Sequence, residues 1–177
     1  MENISEEKAI SILRKYAHDE TSYKKVLAHV NTVKKVALEI AAGVPGVDMN
    51  IIRTGSILHD IGRLITGPGK QGIRHGIVGG EILLREGLPK HARIAENHIG
   101  AGILKEDIIA QKLPLPHKDF VPQTTEEKII CHADNLVFYD RVGTVDEAIQ
   151  RYRKELGEKY AQRIAALARE VESLSHA

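Results

Sequence analysis

Ser56-Ile57-Leu58-His59-Asp60-Ile61-Gly62 sets an imidazole and a carboxylate side by side in an otherwise apolar stretch with helical character. Burying both groups without partners is costly, and a divalent cation is the simplest partner for the two together. A cation held here needs further ligands, and the chain must fold so as to bring them in.

The candidate metal ligands, in chain order, are His29, His59, Asp60, His75, His98 and Asp134. Imidazole nitrogen mixed with carboxylate oxygen, and no cysteine among them, suits manganese, iron, cobalt, nickel or zinc better than calcium. The long separations put each ligand on its own helix, so the site ties several helices together. Adjacent helical residues point about 100° apart and cannot lie on one face. Both members of the His59-Asp60 pair reach one ion only if it sits between their directions, or if Asp60 bridges two ions. The bridging arrangement places one ion on His29, His59, Asp60 and Asp134 and a second on Asp60, His75 and His98. Water or substrate oxygens then complete each coordination shell, and those open positions are where chemistry occurs.

This ordered set resembles the HD superfamily of metal-dependent phosphohydrolases, and Ile61-Gly62 extends the likeness to its HDIG form. The family pattern is a histidine, then the His-Asp pair, then an aspartate, with two further histidines between pair and aspartate in many members. Here these are His29, His59-Asp60 and Asp134, with His75 and His98 as the additions. The likeness runs from about Tyr23 to Tyr139. A second dipeptide, His18-Asp19, is read as a decoy in a polar helix-end stretch.

The resemblance implies an all-α, HD-domain helical bundle with the metal site between helices. It also implies a phosphohydrolase with one or two divalent ions, acting by metal-activated water on a phosphate ester or anhydride, with a nucleotide as the expected substrate. Asp60 is then both ligand and orienter of the nucleophile. In one-metal relatives the positions of His75 and His98 contact substrate phosphate instead. Their spacing looks like that of small stand-alone HD hydrolases, diadenosine tetraphosphatases among them. The cyclic-dinucleotide branch usually carries a Gly-Tyr-Pro signature, from which His98-Ile99-Gly100-Ala101-Gly102 departs. Two alternatives share the same residues. One is a di-iron oxygenase of the myo-inositol oxygenase type, and the other a non-catalytic HD domain that binds a nucleotide or a partner protein around a structural metal.

Length and composition agree with a single HD domain over residues 1–177, its motif region at about 23–139 and C-terminal helices over 144–175. The 177 residues are 42% hydrophobic, enough for a substantial core. With 25 basic and 24 acidic residues the net charge is +1, so no global field argues for nucleic acid or an anionic membrane. The single cysteine, Cys131, excludes an internal disulfide. An acidic Met1-to-Glu7 segment without a signal-type apolar run, and no stretch of membrane-spanning length, make a cytoplasmic protein the expectation.

Helical periodicity recurs along the chain and strand alternation does not. Ser5 caps a first helix to about Tyr16. A second, from about Ser22 to Ala42, aligns Tyr23, Val26, Val30, Val33, Ala37 and Ile40, with His29 at the edge of that stripe. Gly43-Val44-Pro45-Gly46 stops it, and Asp48 caps a third helix that runs through His59-Asp60 and ends near Gly62. Further helices are expected over His75 to Arg85, Lys90 to His98 and about Glu106 to Ala110. Leu113-Pro114-Leu115-Pro116 opens a loop that Pro122 closes. Thr124 with Glu127, and Thr144 with Glu147, form capping-box patterns opening the helix of Asp134 and a final helix. The final helix aligns Leu156, Tyr160, Ile164, Leu167, Val171 and Leu174, a stripe fit for the core or for a second copy in a homo-oligomer. His91 and His117 are expected in solvated surface segments, and His132, two residues from Asp134, off the ligand-bearing face.

The connection from Arg63 to Arg74 reads as a glycine-rich, basic loop. Gly62 and Gly67 have the spacing of a P-loop, but Pro68 stands where the lysine belongs and no strand precedes it, so that motif is rejected. Arg63, Lys70 and Arg74 remain candidates to neutralise substrate phosphate near the metals.

Overall fold

The computed structural model describes residues 3–67 and 71–175, so the Lys70 candidate lies outside the described residues. The chain runs through α1 (Glu6–Lys15), α2 (Glu20–Ala41), α3 (Met49–Leu58), a single turn α4 (Arg63–Thr66) and a 3-10 turn at Gly72–Arg74. It continues through α5 (His75–Arg85), α6 (Pro89–Asn97), α7 (Lys105–Ala110), α8 (Thr125–Asn135), α9 (Val145–Leu156) and α10 (Glu158–Leu174). The fold is all-α, as the periodicity predicts. A short hairpin of β1 (Val137–Phe138) and β2 (Arg141–Val142) is the exception, too brief to leave an alternating pattern.

Side-chain caps begin several of these helices. Ser5 accepts the Lys8 amide, Asp48 the amides of Asn50 and Ile51, and Asp19 the Ser22 amide. The His18-Asp19 dipeptide is thus a helix start, in keeping with its reading as a decoy. Thr144 and Glu147 form the complete capping box on α9. At α8 only half of it forms. Thr124 accepts the Glu127 amide, while the Glu127 carboxylate, buried, takes Arg93 Nε of α6 and the Gln123 amide, each at 2.8 Å.

Three expectations about element ends are corrected. First, α3 stops at Leu58, so His59 is its C-cap and Asp60 lies in the following turn, where Ile61 and Arg63 amides bond back to Leu58 and Asp60. Second, the connection after Gly62 is partly helical. Third, the final helix is two helices that pack on each other. Gly157, at φ 103, breaks the chain between α9 and α10, and Leu156 is 51% exposed instead of continuing the stripe. Ala161, Ile164, Leu167, Ala168 and Val171 form the buried face of α10.

Two apolar clusters frame the molecule. One gathers Val33, Val36, Ile51, Ile52, Ile94, Ile129, Ile130 and Leu167. The other gathers Ile12, Leu13, Val26, Val30, Ile57, Leu58, Ile61 and Leu83. His29 lies between Val26 and Val30, and His59-Asp60 between Leu58 and Ile61, so all three sit within the second cluster. No helix among the described residues is long and apolar enough to cross a membrane.

Candidate metal centre

All six sequence candidates converge. His29 comes from the middle of α2, His59 and Asp60 from the end of α3, His75 from the first residue of α5, His98 from the C-cap of α6 and Asp134 from the last turn of α8. Each imidazole is fixed by its Nδ1, which donates to a backbone carbonyl. His59 bonds Ser56 O at 2.7 Å, His75 bonds Gly72 O at 2.5 Å, His98 bonds Ala95 O at 2.8 Å and His29 bonds Tyr139 O at 2.7 Å. For His59 and His98 the acceptor is one of the carbonyls a helix leaves unsatisfied at its C-terminus. With the Nδ1 proton committed, each ring in its neutral form presents its Nε2 lone pair to a ligand.

Those lone pairs point at carboxylates. His29 Nε2 lies 2.9 Å from Asp134 Oδ1 and 3.5 Å from Asp60 Oδ2, and His59 Nε2 lies 3.5 Å from Asp134 Oδ1. On the other side of Asp60, Oδ1 stands 3.2 Å from His75 Nε2 and 3.3 Å from His98 Nε2, which are 3.0 Å from each other. A cluster of acceptors without donors is unfavourable unless a cation fills it. His59 Nε2 and Asp60 Oδ1 are buried and have no hydrogen-bond partner. Ligand atoms about 2.0–2.2 Å from one ion stand roughly 3.0–3.5 Å apart in octahedral or tetrahedral order, and the spacings here match. Two donor groups are compact enough for an ion: His29 with His59 and Asp134, and His59 with Asp60 and His98. The residues present therefore fit a divalent metal.

The electrostatics agree. Burial alone would raise the Asp60 carboxyl, yet the Arg63 guanidinium and His59 hold it well below the usual carboxylate range. Asp134 is likewise held low against its burial by His29 and His59. Burial pushes His98 down to about 4, keeping it neutral and able to ligate. His29 differs: burial opposes its charge, but Asp134 and Asp60 lift it to about 9, so without an ion its Nε2 holds a proton that a bound cation would displace.

Close backbone packing brings the second pair of histidines in. A β-carbon on Gly76 of α5 would fall 2.9 Å from the Ala95 carbonyl of α6. Only glycine lets α5 and α6 approach so far, and their histidines meet as a result.

Arg63 places Nε 2.6 Å from Asp60 Oδ2, with its side chain 46% exposed. Arg74 is exposed, one residue before His75. Several contributors escaped the sequence reading. Asn135 Nδ2 donates to Gly100 O at 2.7 Å and Cys131 Sγ to the same oxygen at 3.0 Å, clamping the segment that follows His98. Tyr152 Oη in turn donates to Asn135 Oδ1 at 3.0 Å. His91 is buried, not solvated, and its Nε2 pairs with Thr54 Oγ1 at 2.8 Å, tying α6 to α3. The only sequence signal for Asn135, Cys131 and His91 was their place on helices that also carry or end at ligands, and Tyr152, on α9, had none. His117 is exposed as expected. His132 stays out of the cluster and lines a separate cavity of about 590 Å³ with Ile40, Ile149 and Ala168.

Fold and site together define an all-helical protein with four imidazoles and two carboxylates gathered between its helices. The chain belongs to the HD domain family, whose model matches residues 26–138. It is 42% identical over 175 residues to "Uncharacterized protein MJ0778" of Methanocaldococcus jannaschii, covering 95% of this chain and 97% of that one. It is 43% identical over 150 residues to the tRNA (cytidine(56)-2'-O)-methyltransferase of Picrophilus torridus, which takes in 84% of this chain and 42% of that protein. The chain thus spans nearly all of the first relative and less than half of the second. Among solved structures, the HD domain of the L. monocytogenes phosphodiesterase PgpH in complex with cyclic-di-AMP shares the fold. The TM-score is 0.54 at 18% identity, with 96% of each chain covered.

Proposed function

We propose that this chain is a metal-dependent phosphohydrolase acting on a nucleotide or a related phosphate ester or anhydride. The observation that carries the reading is the convergence of four imidazole Nε2 atoms on two carboxylates, with His59 Nε2 and Asp60 Oδ1 buried and unpartnered. His29, His59, Asp60 and Asp134 would hold one ion and Asp60, His75 and His98 a second, with one Asp60 oxygen turned to each group. Bound there, a divalent cation supplies a Lewis acid and brings the pKa of a water toward neutrality.

The chain's own residues account for the remaining steps. Asp60, kept ionised beside Arg63, orients the attacking water. Arg63 engages Asp60 through Nε, which leaves its terminal nitrogens to take up charge on a phosphate oxygen. Arg74 and Lys70, on the connection leaving Arg63, are the further candidates for phosphate charge. The cyclic-di-AMP bound by the PgpH HD domain is a nucleotide and favours that substrate class. A linear nucleotide suits this chain better, because His98-Ile99-Gly100-Ala101-Gly102 departs from the Gly-Tyr-Pro signature of the cyclic-dinucleotide branch. A second reading, RNA as substrate, is favoured by the methyltransferase relative, whose name refers to tRNA.

Hydrolysis of nucleotides, dinucleoside polyphosphates and a short RNA, read as released phosphate, nucleotide or RNA fragment, tests the proposal, with manganese, iron, cobalt, nickel or zinc added, in air and without oxygen. Metal-dependent release that is indifferent to oxygen and abolished in His59→Ala and Asp60→Ala supports it, and the preferred substrate separates the two readings. Oxygen-dependent turnover without phosphate release would move the site to oxygenase chemistry. Tight nucleotide binding with no turnover would make it a binding module.

A further inference from the structure

Tyr139 occupies the first position of the two-residue turn between β1 and β2, at φ 62. Hairpins place glycine or asparagine at such a position, and a bulky aromatic residue there is an outlier. Two hydrogen bonds fix the turn against α2. The Tyr139 carbonyl accepts from His29 Nδ1 at 2.7 Å, and the Asp140 carbonyl accepts from Thr32 Oγ1 at 3.3 Å. Aiming a carbonyl at His29 explains the backbone conformation. It does not explain the side chain, because glycine would aim the same carbonyl without strain. The other non-glycine residue at positive φ among the described residues, Lys112 (φ 52), simply follows the C-terminus of α7, an ordinary place for one.

The Tyr139 residue is 92% exposed, more than any other large hydrophobic among the described residues. Its backbone is nevertheless separated from Asp134 by one imidazole ring, since His29 Nε2 lies 2.9 Å from Asp134 Oδ1. The hairpin is stiffened by guanidinium groups over the Phe138 ring, Arg151 at 4.5 Å and Arg141 at 4.9 Å. An aromatic ring is thus held in solvent on a turn whose backbone is hydrogen-bonded to a candidate metal ligand. Retaining a strained tyrosine there has a purpose if the ring binds something flat.

We infer that Tyr139 is a specificity residue whose ring stacks on the base of a nucleotide bound with its phosphate at the metal centre. This rests on the phosphohydrolase reading and adds to it the recognition of the base. Stacking on an aromatic ring accepts any base, so the selectivity it confers is for nucleotides over base-free phosphate esters.

The chain has five tyrosines and no tryptophan, so Tyr139 ring resonances are assignable by their loss in Tyr139→Phe. Zinc-loaded, diamagnetic protein is titrated by proton NMR with AMP, ATP and diadenosine tetraphosphate, and with ribose 5-phosphate as the base-free control. The expected result is an upfield shift of the Tyr139 ring protons with the nucleotides and none with ribose 5-phosphate. Tyr139→Gly, which keeps the carbonyl and relieves the strained φ, should stay folded and bind nucleotide about ten-fold or more weakly, with affinity restored in Tyr139→Phe. Nucleotide binding seen at other resonances, with Tyr139 unmoved or Tyr139→Gly as tight as the parent, overturns the inference and leaves the hydrolase reading standing. No binding of any nucleotide overturns the inference and the nucleotide as substrate, while hydrolysis of another phosphate ester would still stand as the hydrolase reading.

Discussion

Gly62 lies so close to His75 that a β-carbon on it would fall 1.9 Å from the His75 carbonyl oxygen and 2.7 Å from the Gly79 amide nitrogen. The turn carrying Asp60 and the first turn of α5 are therefore pressed backbone to backbone, and His75 reaches Asp60 because of it. Gly62→Ala must part them. We expect a loss of stability of about 1–3 kcal/mol from overpacking, together with a drop in metal affinity of about ten-fold or more from the displaced ligand. Denaturant melts and metal titration check both, and an alanine variant that binds metal like the parent would contradict the account.

Filling the acceptor cluster should stabilise the fold, since the ion binds the native chain and not the unfolded one. At about 100 times the dissociation constant the gain is about 2.7 kcal/mol. Calorimetry should show the melting temperature rising with added manganese or zinc and falling with a chelator. His59→Ala should lose most of that response.

Acid should unlock α7 from α10. Asp107 is buried and paired with Lys159 Nζ at 2.9 Å and with Arg163, and Tyr160 Oη adds a bond at 3.2 Å. Burial opposes its charge, but Arg163 and Lys159 bring Asp107 from its ordinary 3.8 to about 2. The folded pKa is depressed, so the contribution is complete above pH 4 and is lost as pH falls from there through 2. With both cations partly in solvent it amounts to on the order of 1–2 kcal/mol. Asp107→Asn should show a flatter acid limb in stability against pH and a lower plateau at neutrality.

Removing Asn135 should loosen the segment after His98. Its amide bonds Gly100 O and its carbonyl receives Tyr152 Oη, so Asn135→Ala leaves Gly100 O with only the weaker Cys131 thiol donor and removes the acceptor of a half-buried hydroxyl. A cost of about 1–3 kcal/mol is expected. Thermal melts measure it, and metal titration should show weaker binding than the stability loss alone explains.

The His/Asp series and most helix spans were legible because they rest on local chemistry: caps at Ser5, Asp48 and Thr144, and apolar spacing along α2 and α10. Convergence of His29 with Asp134 followed from the ordered ligand series, although 105 residues separate them. What stayed hidden was set by tertiary contact. Glu127 left its capping box to pair with Arg93, and His91 went inward to meet Thr54. The reading that carried α3 on to about Gly62 overran its end at Leu58, because no glycine or proline marks it before Gly62. Gly157 did mark a break, but the continuing apolar stripe concealed it.

If six converging side chains hold a hydrolytic ion, bound metal and hydrolysis must rise together. Both are measured on the same samples as divalent ion is added to metal-free protein, with products read as phosphate, nucleotide or RNA fragment. Hydrolysis should appear with the bound ion, saturate at one or two ions per chain, and be absent from Asp60→Asn under the same titration. Hydrolysis that proceeds without metal, or a filled site that cleaves none of the substrates, would sink the assignment.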